Sequence, residues 1–304
     1  MLLLMNILEE IGVLVRQYDN FQIVNIVEMI NRIKSIMSLE SFHNFLVRSL
    51  STAVIVPIAG CIIVIGGNYF SLFISILGAV MIWEMARAIF GVGQPYFLII
   101  LSIGFGLVIL LTGLKTGVLL ITAFVLLFVA SLSTYCLLIK QADKITRCLV
   151  FSLFIVIPCL LFLWLRETKE LIMLFWILSC VVATDVGAYL VGKIIGGAKL
   201  APKISPNKTW SGLFGGVTAS AFTGFGFSVF WMEKHFKFVC LSLLIAIVAQ
   251  MGDLLESRFK RKYSIKETSN LIPGHGGIMD RLDGHMAAVT FIALISPLIS
   301  QMSS

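Results

Sequence analysis

The sequence predicts an all-α, polytopic membrane protein of about nine transmembrane helices. Three observations predict it. Of 304 residues, 59% are hydrophobic and only 13% are charged, against ~25% charged in soluble domains. The mean hydropathy is +1.00. The apolar residues also fall in long blocks, each near the ~20 residues that a helix needs to cross a hydrocarbon core. Lipid offers no partner to an unpaired backbone N–H or C=O, so these blocks are expected to be helices gathered in one bundle. A β-barrel would need short segments of alternating hydrophobicity, which the sequence lacks.

In chain order, residues 1–47 are expected to form a cytoplasmic or interfacial segment. The opening MLLLM meets Glu9 and Glu10 at once, without the small-residue cleavage site of a signal peptide. Between Phe21 and Met37, Ile23, Ile26, Val27, Ile30 and Ile33 recur at helical spacing, as in an amphipathic surface helix. Residues 48–304 are expected to form the transmembrane domain, with apolar runs over 49–67, 69–90, 96–113, 117–139, 148–165, 169–192, 210–231, 236–255 and 284–300.

Orientation follows from the basic residues, which collect in short cytoplasmic segments. With nine crossings and a cytoplasmic N-terminus, 18 of the 23 lysines and arginines fall inside; only Lys115, Arg166, Lys169, Lys234 and Lys237 fall outside. The formal charge of +7 is thereby explained by topology and anionic headgroups, and no nucleic-acid partner is expected. Cys61, Cys136, Cys148, Cys159, Cys180 and Cys240 lie in or beside apolar runs with no CxxC pair, so they are expected to pack rather than to bind zinc or form disulfides.

Two polar islands interrupt this pattern. The first, residues 257–284, reads SRFKRKYSIKETSNLIPGHGGIMDRLDG. Ser257, Lys260, Arg261 and Lys266 precede the turn Pro273–Gly277, whose His275, Gly276 and Gly277 offer side-chain-poor backbone to a phosphate at the start of the next helix. Asp280 and Asp283 follow, three apart and so on one face of a helical turn, flanking Arg281. Asp253 lies just upstream, at the cytoplasmic end of the eighth run. Hard cations such as magnesium take oxygen ligands, using one or two carboxylates and completing their shell with water and phosphate. Each acid alone would read as an ion-pair partner of Arg281 or Lys260; together they point to a cation and phosphate site.

The second island runs from Asp185 to Gly212. Asp185 sits inside an apolar run, where an ionisable group is costly and implies function. Lys208 offers a point charge to phosphate, and Ser205 and Thr209 offer hydroxyls. The plainer alternative is a helix–loop–helix connector whose lysines merely obey the orientation rule. Gly187, Gly192 and Lys193 imitate a P-loop, but Ile194 stands where that motif needs a hydroxyl, and the segment belongs to a membrane helix.

Taken together, the islands resemble the phosphatidate cytidylyltransferase (CDP-diacylglycerol synthase) family. The resemblance rests on Ser257-x-x-Lys260-Arg261, on His275-Gly276-Gly277 and on Asp280-Arg281-x-Asp283. Upstream it is carried by Asp185, Ala188, Tyr189, Gly192 and Lys193, and by Ser205-Pro206-x-Lys208-Thr209. The family's Lys-Asp pair is here Lys266-Glu267, and Ser211 stands where the family often has an acid or amide. The helices before residue 180 resemble the family only in number and hydrophobicity.

This resemblance implies transfer of cytidylate from CTP to phosphatidate. Asp253 and Asp280 correspond to the family's metal-binding aspartates, holding magnesium in a two-metal arrangement, with Lys260 and Arg261 neutralising phosphate beside them. Ser205, Lys208, Thr209, Ser257, Lys266, His275, Gly276, Gly277, Arg281, Asp283 and Asp185 are the implied substrate-binding set. A phosphomonoester with a second pKa of about 6 is already ionised, so His275 is assigned to hydrogen bonding and not to proton abstraction. His43, His235 and His285 are expected to be surface or packing residues. The implied partners are CTP, phosphatidate and membrane lipids, with a homodimer as the assembly. The implied location is the inner membrane of a prokaryote, with the N-terminus and the site cytoplasmic.

Three other activities are weighed against this one. A CTP-dependent polyprenol or phytol kinase would share the CTP site. A CDP-alcohol phosphotransferase needs Asp-Gly-x-x-Ala-Arg, whereas Asp283-Gly284 leads into HMAAVTFIALIS. A transporter would explain Asp185, but the chain shows neither internal repeats nor a polar midplane.

Overall fold

The computed structural model describes residues 53–91, 95–115, 142–168, 171–231, 235–272 and 276–301, with single positions at 117, 122 and 130. Met1–Val56 and Pro57–Ser304 are separate compact units, and the second holds both polar islands. The expected segment 1–47, the run 117–139 save three single positions, and His275 lie outside the described residues.

The described chain is helical almost throughout, as apolar runs of this length require. Helix α1 covers Ala53–Ile65, α2 Gly67–Phe90, α3 Pro95–Gly113, α4 Ala142–Thr168 and α5 Leu171–Ile194; α6 Trp210–Trp231, α7 His235–Lys262 and α8 Met279–Gln301 follow. Among the described residues, five spans are long and apolar enough to cross a membrane: Gly67–Phe90, Val150–Thr168, Leu171–Ile194, Trp210–Phe230 and Phe236–Lys262. Their outer faces carry side chains such as Phe230, 91% exposed, and Phe236, 82% exposed, an arrangement that lipid rather than water accommodates.

The expected all-α fold needs one correction. The second island is not a simple connector but an antiparallel hairpin, β1 (Lys199–Ala201) and β2 (Ser205–Thr209). Lys199 lies opposite Thr209 and Ala201 opposite Ser205, with an irregularity between them. Gly196 and Gly197 end α5 at φ +65° and +98°, a left-handed path open mainly to glycine. The following residues then pair with one another, which satisfies backbone groups that a bare loop would leave to solvent. Two further boundaries differ from expectation. Helix α7 continues through Lys262, past the predicted end at 255, and α8 starts at Met279, so that Asp280 lies in its first turn.

Close helix contacts fix where the islands meet. A β-carbon at Gly216 would stand 2.7 Å from Thr184 O, and one at Gly212 would stand 2.8 Å from Ala188 O. Only glycine lets α5 and α6 approach so nearly, as small residues do at helix crossings in lipid. Likewise Gly252 on α7 lies against Asp283 O of α8, within 2.9 Å of where its β-carbon would be. Two apolar cores flank α8. One joins α2, α3 and α4 to Phe259 and Met286; the other joins Trp176, Ile177 and Val181 of α5 to Ile245 of α7 and Val289 and Ile292 of α8. The first core thus holds the start of α8 through Met279, and the second holds its middle.

Candidate active site

The site is assembled from the last turns of α7, the first turn of α8, strand β2 and the loop 263–278. On α7, Asp253, Glu256, Ser257 and Lys260 are spaced three and four apart and so share one face. Lys260 Nζ lies 2.6 Å from Glu256 Oε2 and 2.9 Å from Asp280 Oδ1, which joins α7 to α8. The Ser257 hydroxyl donates to Asp253 Oδ1 at 3.3 Å. From β2, Lys208 reaches Asp253 Oδ2 at 2.5 Å and donates to Gln250 Oε1 at 2.9 Å. The two islands therefore meet through a lysine from one and an aspartate beside the other.

Asp280 is the most heavily engaged acid. Besides Lys260, its Oδ2 accepts from the Thr268 N–H at 3.0 Å, the Thr268 hydroxyl at 3.1 Å and the Gly277 N–H at 2.9 Å. Burial alone raises its pKa, but hydrogen bonds with Glu256, Lys260 and the Gly277 amide outweigh burial and hold it below the ordinary carboxylate value. Asp283 Oδ1 accepts from the Gly284 N–H at 2.7 Å. One carboxylate oxygen each from Asp253, Glu256 and Asp283 lies within 4.8 Å of the other two. Such clustered hard donors fit a divalent cation. Asp280 stands beside this trio, joined to it through Lys260 and Glu256.

Other expected residues take varied places. Asp185, on α5, is within electrostatic reach of Asp253, Lys208 and Arg281. Arg261 Nε donates to Ile204 O at 3.2 Å, tying α7 to the hairpin. Thr209 is 5% exposed, and its hydroxyl accepts from the Gly212 N–H at 3.1 Å, the geometry of a helix N-cap for α6. Ser205 opens β2, Lys266 is exposed on the loop, and Arg281 lies exposed in the first turn of α8. Gly276, at φ +85°, exchanges backbone hydrogen bonds of 2.9 and 3.2 Å with Ile272.

Several contributors escaped the sequence pattern. Glu256 and Gln250 lie on the Asp253 side of α7, at helical spacings that point to them once Asp253 is chosen. Thr268 and Ser269 are 6% and 7% exposed and carry no motif. Glu84, wholly buried on α2, is an ionisable residue in an apolar run, the same signal that marks Asp185.

The profile of the Cytidylyltransferase family matches residues 46–298, which include every residue named above in the site. The chain is 41% identical over 127 residues to a phosphatidate cytidylyltransferase of Brucella suis, a match covering 41% of this chain and 47% of that one. It is 38% identical over 168 residues to the protein of that name from Rickettsia bellii, covering 51% and 71%. To the Bacillus subtilis protein it is 33% identical over 176 residues, covering 56% and 65%. The chain spans about half the length of the Brucella relatives it matches. With four-fifths of its length inside the profile and both polar islands at one end of the bundle, the chain belongs to the cytidylyltransferase family.

Proposed function

We propose that the protein transfers cytidylate from CTP to phosphatidate, giving CDP-diacylglycerol and pyrophosphate. In this step an ionised phosphate oxygen of the lipid attacks the α-phosphorus of CTP. The new P–O bond forms as the α–β anhydride bond breaks, and the bonding pair leaves with pyrophosphate. Little covalent work falls to the protein, so positioning and charge neutralisation dominate. The observation that carries the proposal is the meeting of Lys208 with Asp253 and of Lys260 with Asp280 at 2.5 and 2.9 Å. Two cations for phosphate and a set of hard oxygen donors occupy one small region.

Magnesium fits the donor set of Asp253, Glu256 and Asp283, with Asp280 beside it; Asp253 and Asp280 are the ligands the resemblance implies, and magnesium held there would neutralise charge on the triphosphate. Lys208 pairs with Asp253, and Lys260 with Glu256 and Asp280; both lysines would offer positive charge to phosphate oxygens in the same region. Arg261 and Lys266, at the exposed rim, add positive charge for the incoming nucleotide, and the Ser205 and Ser257 hydroxyls add donors. Arg281 and Asp185 flank the same region, with Gly276 and Gly277 in the loop before α8, and His275 is the residue the resemblance assigns to hydrogen bonding.

The proposed topology has nine crossings, a cytoplasmic N-terminus and the site at the cytoplasmic face of an inner membrane. Residues 1–47 form the separate interfacial segment, and the acyl tails stay in the bilayer while the headgroup enters between helices. A homodimer is the proposed assembly. Purified protein supplied with phosphatidate and CTP labelled at either the α- or the γ-phosphate tests the chemistry. Label from the α-position in the lipid supports it; transfer of the γ-label identifies a lipid kinase instead, and flux across liposomes without nucleotide turnover identifies a transporter.

A further inference from the structure

Glu84 is an acid in the middle of membrane helix α2, 0% exposed, and burying an unpaired carboxylate in such surroundings is expensive. It is not unpaired. Oε1 accepts from the Ser269 hydroxyl at 2.5 Å and the Ile278 N–H at 3.0 Å; Oε2 accepts from the Met279 N–H at 2.8 Å and the Thr268 hydroxyl at 3.2 Å. Two of these donors are backbone amides at the start of α8, groups with no partner inside the helix. A negative charge there also complements the positive end of the helix dipole.

The Thr268 hydroxyl continues the chain of contacts. It lies 3.2 Å from Glu84 Oε2 and 3.1 Å from Asp280 Oδ2, while the Thr268 N–H holds the same Asp280 oxygen at 3.0 Å. A hydroxyl has one proton to donate, so this bridge couples the two carboxylates. A β-carbon at Gly277 would collide with both the Thr268 hydroxyl and the Glu84 carboxylate, which leaves no slack between α2, the loop and α8.

We infer that Glu84 is a positioning residue: from inside a membrane helix it fixes the N-terminus of α8 and, through Thr268, the orientation of Asp280 towards Lys260. The consequence for turnover rests on the proposed cytidylyltransferase activity; the anchoring of α8 does not. Glu84 is wholly buried and reaches Asp280 through Thr268.

The test pairs E84Q with T268V, each near-isosteric, in the full-length purified protein. Kinetics, thermal unfolding and hydrogen exchange of residues 264–283 are measured together. E84Q replaces one acceptor with a donor group facing other donors, so kcat is expected to fall about 10- to 100-fold, the usual effect of losing an outer partner of a site. KM for CTP should change much less, faster exchange should be confined to residues 264–283, and E84D should recover part of kcat. T268V should lower kcat too, and the double variant should be little worse than E84Q alone. Unchanged kcat in E84Q, multiplicative losses in the double variant, or a kcat loss that only tracks the unfolded fraction overturns the inference. If E84Q does not fold, T268V decides alone: wild-type kcat overturns it, and reduced kcat with local exchange supports it. If the wild-type protein makes no CDP-lipid, the proposed function fails, and exchange decides the anchoring. Local opening in E84Q supports it; exchange equal to wild type overturns it.

Discussion

Lys208 Nζ lies 2.5 Å from Asp253 Oδ2, although one belongs to a short strand outside the helices and the other to a membrane helix. The pair neutralises both charges, and it leaves Lys208 aimed into the acid cluster. A point charge held there by its partner is ready for a phosphate that brings its own cation. Lys208→Ala should lower kcat/KM for CTP by the loss of one charge-assisted contact, about 1.5–3 kcal/mol, with membrane insertion intact. Steady-state kinetics with CTP varied check this, and an unchanged kcat/KM would mean that the lysine merely pairs with Asp253.

Asp253→Asn and Asp280→Asn keep shape while removing the charge that a divalent cation requires, so each should reduce turnover by orders of magnitude in a folded protein. Groups that act as one unit lose function non-additively. The double variant should therefore be little worse than either single one, and EDTA should abolish wild-type activity until magnesium is restored. Near-normal turnover by folded Asp280→Asn would defeat the mechanism.

The same substitution makes a stability prediction with a definite sign. Asp280 has a folded pKa below its ordinary value, so its ionised form stabilises the fold. That contribution is complete above the unfolded carboxylate value of ~3.9 and is lost as pH falls through the lower folded value. The thermal stability of wild type relative to Asp280→Asn should thus be largest near neutrality and shrink only in strong acid. A difference that disappears between pH 7 and 5 would contradict it.

Gly252→Ala adds a methyl 2.7 Å from Ala287 Cβ and 2.9 Å from Asp283 O. Overpacking of this kind costs about 1–3 kcal/mol, and here it would push α7 away from α8 and separate Asp253 from Asp283. Loss of activity greater than the loss of thermal stability is the expected outcome. A variant with wild-type melting and turnover would show that the helices part without consequence.

The proposed nine crossings would place the two termini on opposite sides. A reporter that works only outside the cytoplasm should be active when fused after Ser304 and silent at the N-terminus. Cytoplasmic activity after Ser304 would remove the odd number of crossings.

What the sequence disclosed and what it hid follow from range and spacing. The helices α2, α5, α6 and α7 are legible because lipid demands long unbroken apolar runs, and Asp253, Lys260 and Asp280 are legible because charge within or beside such runs is costly. The hairpin at Lys199–Thr209 was not, because strands of three and five residues are too short for alternation to register. Glu84 carries the same signal of a charge in an apolar run, but its role was not legible, because its donors lie near the other end of the chain and no local pattern pairs them with it. Thr209 shows a different limit: its motif position suggests a ligand hydroxyl, whereas its observed hydrogen bond caps α6.

Helix α7 has 28 residues and so measures roughly 42 Å at ~1.5 Å per residue, about 12 Å more than a ~30 Å hydrocarbon layer. The surplus, about eight residues at that rise, falls in the polar end that bears Glu256 through Lys262. On the proposed topology, a rod that overshoots by this amount sets a depth gauge: its polar end would stand at the level of lipid phosphates, while its apolar shaft would stay in register with acyl chains. On the proposed function, a lipid substrate need not be lifted from its leaflet to be modified. It can meet the nucleotide at the altitude where its own headgroup already rests.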